Sequence, residues 1–130
     1  MKNKTSIKLI IIFFFNIFVL NFANSEQFNF DVTEIEILNN GNLFKGLKRG
    51  IVETDSGINI NADSFIYNKL TNILKAEGKV KIEDTTNNNV IYSDKATYQK
   101  NEEIVFTEGN SKAIDSENRE ITAEKITYKK

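Results

Sequence analysis

The sequence predicts an all-β domain built from repeats, and three observations carry that reading. An octet that begins with isoleucine and ends in tyrosine occurs three times, at residues 60–67, 91–98 and 121–128, at spacings of 31 and 30 residues. Apolar and charged residues alternate with period two in stretches such as Val80-Lys81-Ile82-Glu83, as in a strand with one buried face. The runs are separated by Asn39-Asn40-Gly41, Ser56-Gly57 and Thr86-Asn87-Asn88-Asn89, with no visible helix cap and no proline anywhere. Such residues tolerate left-handed backbone or bond their own main chain in turns.

At the start of the chain, Lys2, Lys4 and Lys8 introduce an apolar run from Leu9 to Leu20 broken only by Asn16, and the small residues Ala23 and Ser25 follow. This is the three-part pattern of a secretory signal peptide over residues 1–25, with cleavage after Ser25. A bilayer span needs about 20 apolar residues, more than this run supplies, although an uncleaved anchor is the rival reading. Without the three leader lysines, 14 basic side chains face 18 acidic ones, a net charge of −4. A mildly acidic chain with scattered lysines lacks the basic footprint of a nucleic-acid binder. Cysteine and histidine are both absent. No disulfide can therefore stabilise an exported domain, and thiolate or imidazole metal sites and serine–histidine triads are excluded.

The mature chain reads as one domain over 26–130, with an atypical N-terminal cap at 26–57 and repeats from 58, 89 and 119. In the cap, Phe28, Phe30 and Val32 alternate, and Ile35 and Ile37 continue one step out of phase, as in a strand pair or a bulged strand. Gly46 and Gly50 punctuate the remainder, an irregularity typical of a capping repeat. Each full repeat reads as a strand ending in tyrosine, a polar turn (68–72 and 99–103), a second strand reaching Gly78 or Gly109, and a third short strand reaching Asp84 or Asp115.

Within the first octet the apolar positions are Ile60, Ala62, Phe65 and Tyr67, which breaks strict alternation. An extra residue near Asp63-Ser64, Asp94-Lys95 and Glu124-Lys125 restores the inward phase, so a β-bulge or bend is predicted in every repeat. The three carboxylates then read as solvated positions at the bend. Calcium would need clustered oxygens, and the recurring tyrosines read as a core ladder rather than a sugar platform.

The recurring Ile-x-Ala-Asp-x-x-x-Tyr, here Ile60, Ala62, Asp63 and Tyr67, is followed by Leu74, Ala76, Gly78, Val80 and Ile82. This pattern resembles the repeat of the OstA/LptA-type lipopolysaccharide-transport proteins. The second copy keeps Asp94, Tyr98 and Gly109 but has Ser93 in place of the alanine and Ser111 in place of the valine. The resemblance covers roughly residues 28–130. It implies an antiparallel β-jellyroll of two facing sheets, a periplasmic location, and a role in bridging inner and outer membranes for outer-membrane assembly. The implied partners are lipopolysaccharide and the inner-membrane-anchored and outer-membrane components of the same transport system. No enzyme activity, cofactor or metal is expected.

Two sheets with apolar inner faces enclose a space that becomes a groove for acyl chains if they splay apart. The expected lining is Ile60, Phe65, Tyr67, Val80 and Ile82 from the first repeat, Ile91 and Tyr98 from the second, and Ile121, Ile126 and Tyr128 from the third. The same residues serve equally as a closed core. The terminal strands, 28–38 and 121–128, would be open edges able to add a strand from another copy, head to tail, unless Lys129 and Lys130 blunt the second edge. The alternative function is thus a structural domain that pairs edge to edge, such as the N-terminal piece of the outer-membrane translocon, without binding lipid itself.

Overall fold

The computed structural model describes residues 28–130; the signal-peptide reading of 1–25 falls outside them. Eight strands follow in chain order: β1 (Phe28–Leu38), β2 (Leu43–Thr54), β3 (Ile58–Ala62), β4 (Ser64–Asn68), β5 (Ile73–Asp84), β6 (Asn89–Gln99), β7 (Ile104–Ile114) and β8 (Glu120–Lys129). A single 3₁₀ turn, Asn39–Gly41, links β1 to β2. All pairings are antiparallel in the order β1-β2-β3-β5-β6-β7-β8, with β4 continuing β3 between β2 and β5. β1 and β8 are thus the terminal strands.

The two facing sheets are two leaves of one hydrogen-bonded sheet folded along a line of bulges. Between β5 and β6 the register slips where Gly78 and Lys79 stand opposite Asp94, between β6 and β7 the three residues Gly109, Asn110 and Ser111 stand opposite Ser93 and Asp94, and between β7 and β8 Gly109 and Asn110 stand opposite Glu124. The β1–β2 slip, between Val32 and Glu34, lies at the same level. The predicted bend is therefore present, but its extra residue sits on the glycine-bearing strand that faces the octet. Gly78 and Lys79 have φ of 83° and 45°, and Gly109 and Asn110 have 84° and 47°. Such left-handed pairs turn a strand sharply and favour glycine.

This corrects the expected repeat in a second way. The segment around each glycine is one long bulged strand, β5 or β7, rather than two short ones. The glycines also lack a side chain for a steric reason: a Cβ on Gly109 would meet the Asp94 carboxylate at 2.6 Å, and Asp63 overlies Gly78 in the same way. The Asp63 amide donates to the carbonyls of Glu77 and Gly78 at 3.1 and 2.9 Å, fastening the bend. Asp63 and Asp94 stay exposed on its outer side, where they accept from Arg49 (2.8 Å) and Asn110 (2.9 Å).

Inward side chains form continuous rows across each leaf. On the first leaf, the successive cross-strand partners are Phe30, Val52, Ile60, Ile82, Ile91, Ala113 and Ile121. On the second, they are Ile37, Phe44, Tyr67, Leu74, Tyr98, Val105 and Tyr128. Directly opposed residues share a face of the sheet, so these rows are the inner surfaces of the fold.

Candidate functional site

The leaves meet with an offset. Tyr67 of β4 lies against Phe28 and Phe30 of β1, with ring centroids 4.5 and 5.7 Å apart. Tyr98 of β6 reaches Ser56 in the β2–β3 turn, with 3.3 Å between the hydroxyls. Tyr128 of β8 donates to Asp84 at the end of β5 (2.6 Å). Each strand of the second leaf thus faces a strand about two places earlier on the first, and each end of the fold is left with uncovered inner surface. At the C-terminal end this surface belongs to the first leaf, and at the N-terminal end to the second.

Burial follows the offset. Ile60, Phe65, Tyr67, Val80, Ile82, Ile91 and Tyr98 are all buried in one core, together with Val52, Ile58, Leu74 and Val105. These seven expected lining residues are enclosed by their own neighbours. The other three stand at the open end: Ile121 is 66% exposed, and Ile126 and Tyr128 are half-buried. Ile121 ends the first-leaf row with no second-leaf strand above it. At the opposite end Ile35 and Ile37 are 42% and 57% exposed for the mirror-image reason.

The C-terminal opening is a cavity of about 410 Å³ whose floor includes Ile91, Ala113, Ile114, Ile121 and Ile126, with Tyr128 on one side. Asn89, Asp115 and Arg119 form its polar rim, with Arg119 Nε 2.6 Å from the Asp115 carboxylate. An apolar floor with a few polar groups at its mouth is the usual make-up of a small-molecule pocket. The chemistry offered is shielding of hydrocarbon. Among the described residues, no three carboxylates are grouped to hold a metal ion.

Above this cavity Asp84 is 2% exposed yet charged. Burial opposes its ionisation, but the Tyr128 hydroxyl, the Asn87 side chain and amide, and Lys130 all donate to it, and together they hold its pKa down at about 2. Lys130 bonds Asp84 (3.2 Å), Thr86 Oγ1 (3.0 Å) and the Ser56 carbonyl. It is turned back over the fold, so of the two lysines considered for blunting the β8 edge Lys130 does not serve; Lys129 is exposed.

The sequence reading missed three groups. The aromatic cluster Phe28, Phe30 and Phe44 around Tyr67 carried an alternation signal in the cap. Ala113 of the cavity carried none beyond its place in a strand. The third group, Asp84 with Lys130 and Asp55 with Lys100 (2.9 Å), was visible as a lysine two places after each octet tyrosine.

No family model matches the sequence, and no curated protein sequence matches it. Among solved structures, the chain is similar to LptH of Pseudomonas aeruginosa, the LptA-homologous periplasmic component of the conserved lipopolysaccharide transport device. The TM-score is 0.69 over 78% of this chain and 75% of that one, at 14% identity.

The fold is of the OstA/LptA type. In this LptA-type fold the bulge line and the paired leaves belong to one continuous antiparallel sheet. The similar structure is a component of a transport device. Among the described residues, no helix is long and apolar enough to cross a membrane.

Proposed function

We propose that this chain is a periplasmic module of lipopolysaccharide transport, working between inner and outer membranes, that shelters acyl chains at the open C-terminal end of its jellyroll. The observation that carries this reading is the cavity over Ile91, Ala113, Ile121 and Ile126, apolar in its floor and polar at its rim. The likeness to LptH supplies the chemical class of ligand. Burying hydrocarbon is worth about 0.8 kcal/mol per methylene, so a twelve-carbon chain sheltered there gains on the order of 10 kcal/mol over water. A bilayer offers a similar gain, so shelter alone drives no net movement. Direction then comes from partners in the same transport system.

The test is photocrosslinking to purified lipopolysaccharide from reactive groups placed at Ile121, Ile126 and Tyr98, with Lys81 on the outer face as control. Adducts are expected at the two mouth positions and not at Lys81, with little at enclosed Tyr98. Absence of adducts at both mouth positions in folded protein would overturn lipid binding.

Edge-to-edge assembly is the second reading, favoured by the exposed ends of the two inner rows, Ile35 and Ile37 on β1 and Ile121 on β8. β1 and β8 both run from the first leaf to the second, so a joint between β8 of one copy and β1 of the next is parallel and head to tail. Unlike edges joined this way extend rather than close. Such a joint would extend both rows and cover the mouth, and it is tested by sedimentation of the parent chain against an Ile121 variant. The same edge would serve a domain of the outer-membrane component.

A further inference from the structure

The margin opposite the bulge line is closed by a contact that repeats with the sequence. A lysine follows each octet tyrosine by two places: Tyr67 and Lys69, Tyr98 and Lys100, Tyr128 and Lys130. The second pair crosses to the β2–β3 turn, with Tyr98 on Ser56 (3.3 Å) and Lys100 on Asp55 (2.9 Å). The third crosses to the β5–β6 turn, with Tyr128 on Asp84 (2.6 Å) and Lys130 on Asp84 and Thr86. The first has no earlier turn to reach among the described residues, and Tyr67 instead donates to Asn72 of its own hairpin (2.7 Å).

We propose that these tyrosine–lysine pairs are latches holding the two leaves shut, and that the terminal latch, Tyr128 and Lys130 on the turn after Asp84, parts sideways to admit an apolar chain to the space over Ile91. The mechanics follow from where the bonds lie. Side chains and turns make the latches, whereas the backbone ladders run across each leaf, so the margin can open without unpairing a strand. The opposite margin is the bulge line, where left-handed pairs already interrupt the ladder and a hinge costs least. The two latches are not equivalent. Beneath Tyr98 and Lys100 the inner residues Ile60, Leu74 and Val105 are fully buried, but beneath Tyr128 and Lys130 the floor runs out to half-buried Ile126 and exposed Ile121. Local opening is easiest where the least apolar surface is packed, which singles out the terminal latch. Its role in admitting lipid rests on the transport reading above; the opening itself does not.

The chain has no cysteine, so single reporters can be placed in the full-length protein. Ile91→Cys lies under the terminal latch and Ile60→Cys under the second. Combining each with Tyr128→Phe and Lys130→Met should raise the rate of maleimide labelling about tenfold at Ile91→Cys, the effect of losing bonds to a charged group, and less than twofold at Ile60→Cys. An equal rise at both positions, or none at Ile91→Cys, overturns the latch. Should Ile91→Cys not fold, amide exchange over residues 84–91 in the Tyr128→Phe, Lys130→Met protein reads the same opening and has the same two outcomes. A crosslinker at Ile126 then measures how fast purified lipopolysaccharide is captured. Faster capture by the latch variant supports admission at this margin, and an unchanged rate despite faster labelling overturns it. No capture by either protein, with labelling still raised, would instead sink the lipid reading and leave the latch standing.

Discussion

Protonating Asp84 should unlock the fold from one margin. Its carboxyl moves from 3.8 to about 2 because the donors gathered around it outweigh the burial that opposes its charge. A depressed acid stabilises the folded state fully above its unfolded pKa, and that stabilisation is lost as pH falls toward the folded value. A difference of roughly two units, at about 1.36 kcal/mol each, is on the order of 2.5 kcal/mol, a large share of the 5–15 kcal/mol typical of a domain. The window is therefore pH 4 down to 2. The assay is urea unfolding of the parent and of Asp84→Asn at steps from pH 6 to pH 2. At pH 6 the variant should be less stable by about 2–3 kcal/mol, with the gap closing through the window as the parent's carboxyl takes up its proton. A gap of the same size at pH 2 and pH 6 would refute the assignment, since a loss independent of protonation reflects shape alone.

Three further outcomes follow from the packing. Gly78→Ala forces a left-handed residue with a Cβ into the Asp63 carboxylate and should cost at least about 1–2 kcal/mol in urea unfolding; a loss of only a few tenths would mean that the bulge relaxes freely. Tyr98→Ala empties a fully buried aromatic site at the centre of the core and should cost about 3–5 kcal/mol, read as a lowered Tm; a near-neutral result would contradict the closed interior. Ile121→Lys removes the exposed end of the first-leaf row and should lower the sedimentation-derived average mass of concentrated protein while leaving its circular dichroism unchanged; an unaltered mass rules out β8 as an association edge.

The strands were legible because their periods are local. Alternation marks β5 from Leu74 to Asp84, and the phase change in the octet at Asp63 announces a bulge at that level. What alternation cannot say is which strand of a pair carries the extra residue. That depends on the partner's backbone, and the left-handed Lys79 and Asn110 look unremarkable in sequence. The candidate site was half legible for a similar reason. Inward positions could be assigned from Ile60 to Tyr128, but whether they are enclosed or open depends on the offset between leaves. The offset is fixed by contacts between residues far apart in sequence, such as Tyr98 with Ser56 and Tyr128 with Asp84, which no local pattern encodes. Contacts such as Asp84 with Tyr128 and Lys130 join residues 44 and 46 places apart. Their trace was the repeated acid at Asp84 and the lysine repeated after each tyrosine, whose pairing was not evident until the two stood opposite.

The mismatch of the leaves also fixes how such a protein responds to a change in length. Appending one more thirty-residue unit at the β8 end would cover Ala113 and Ile121 and present fresh counterparts of both further along, so every addition gains the same surface and leaves the same remainder. Terminal penalties are then a constant, and the free energy of unfolding should climb in equal steps with unit number, as in a one-dimensional chain of nearest neighbours. A jellyroll with flush ends would instead have a preferred size. This one sets no limit on its own extension.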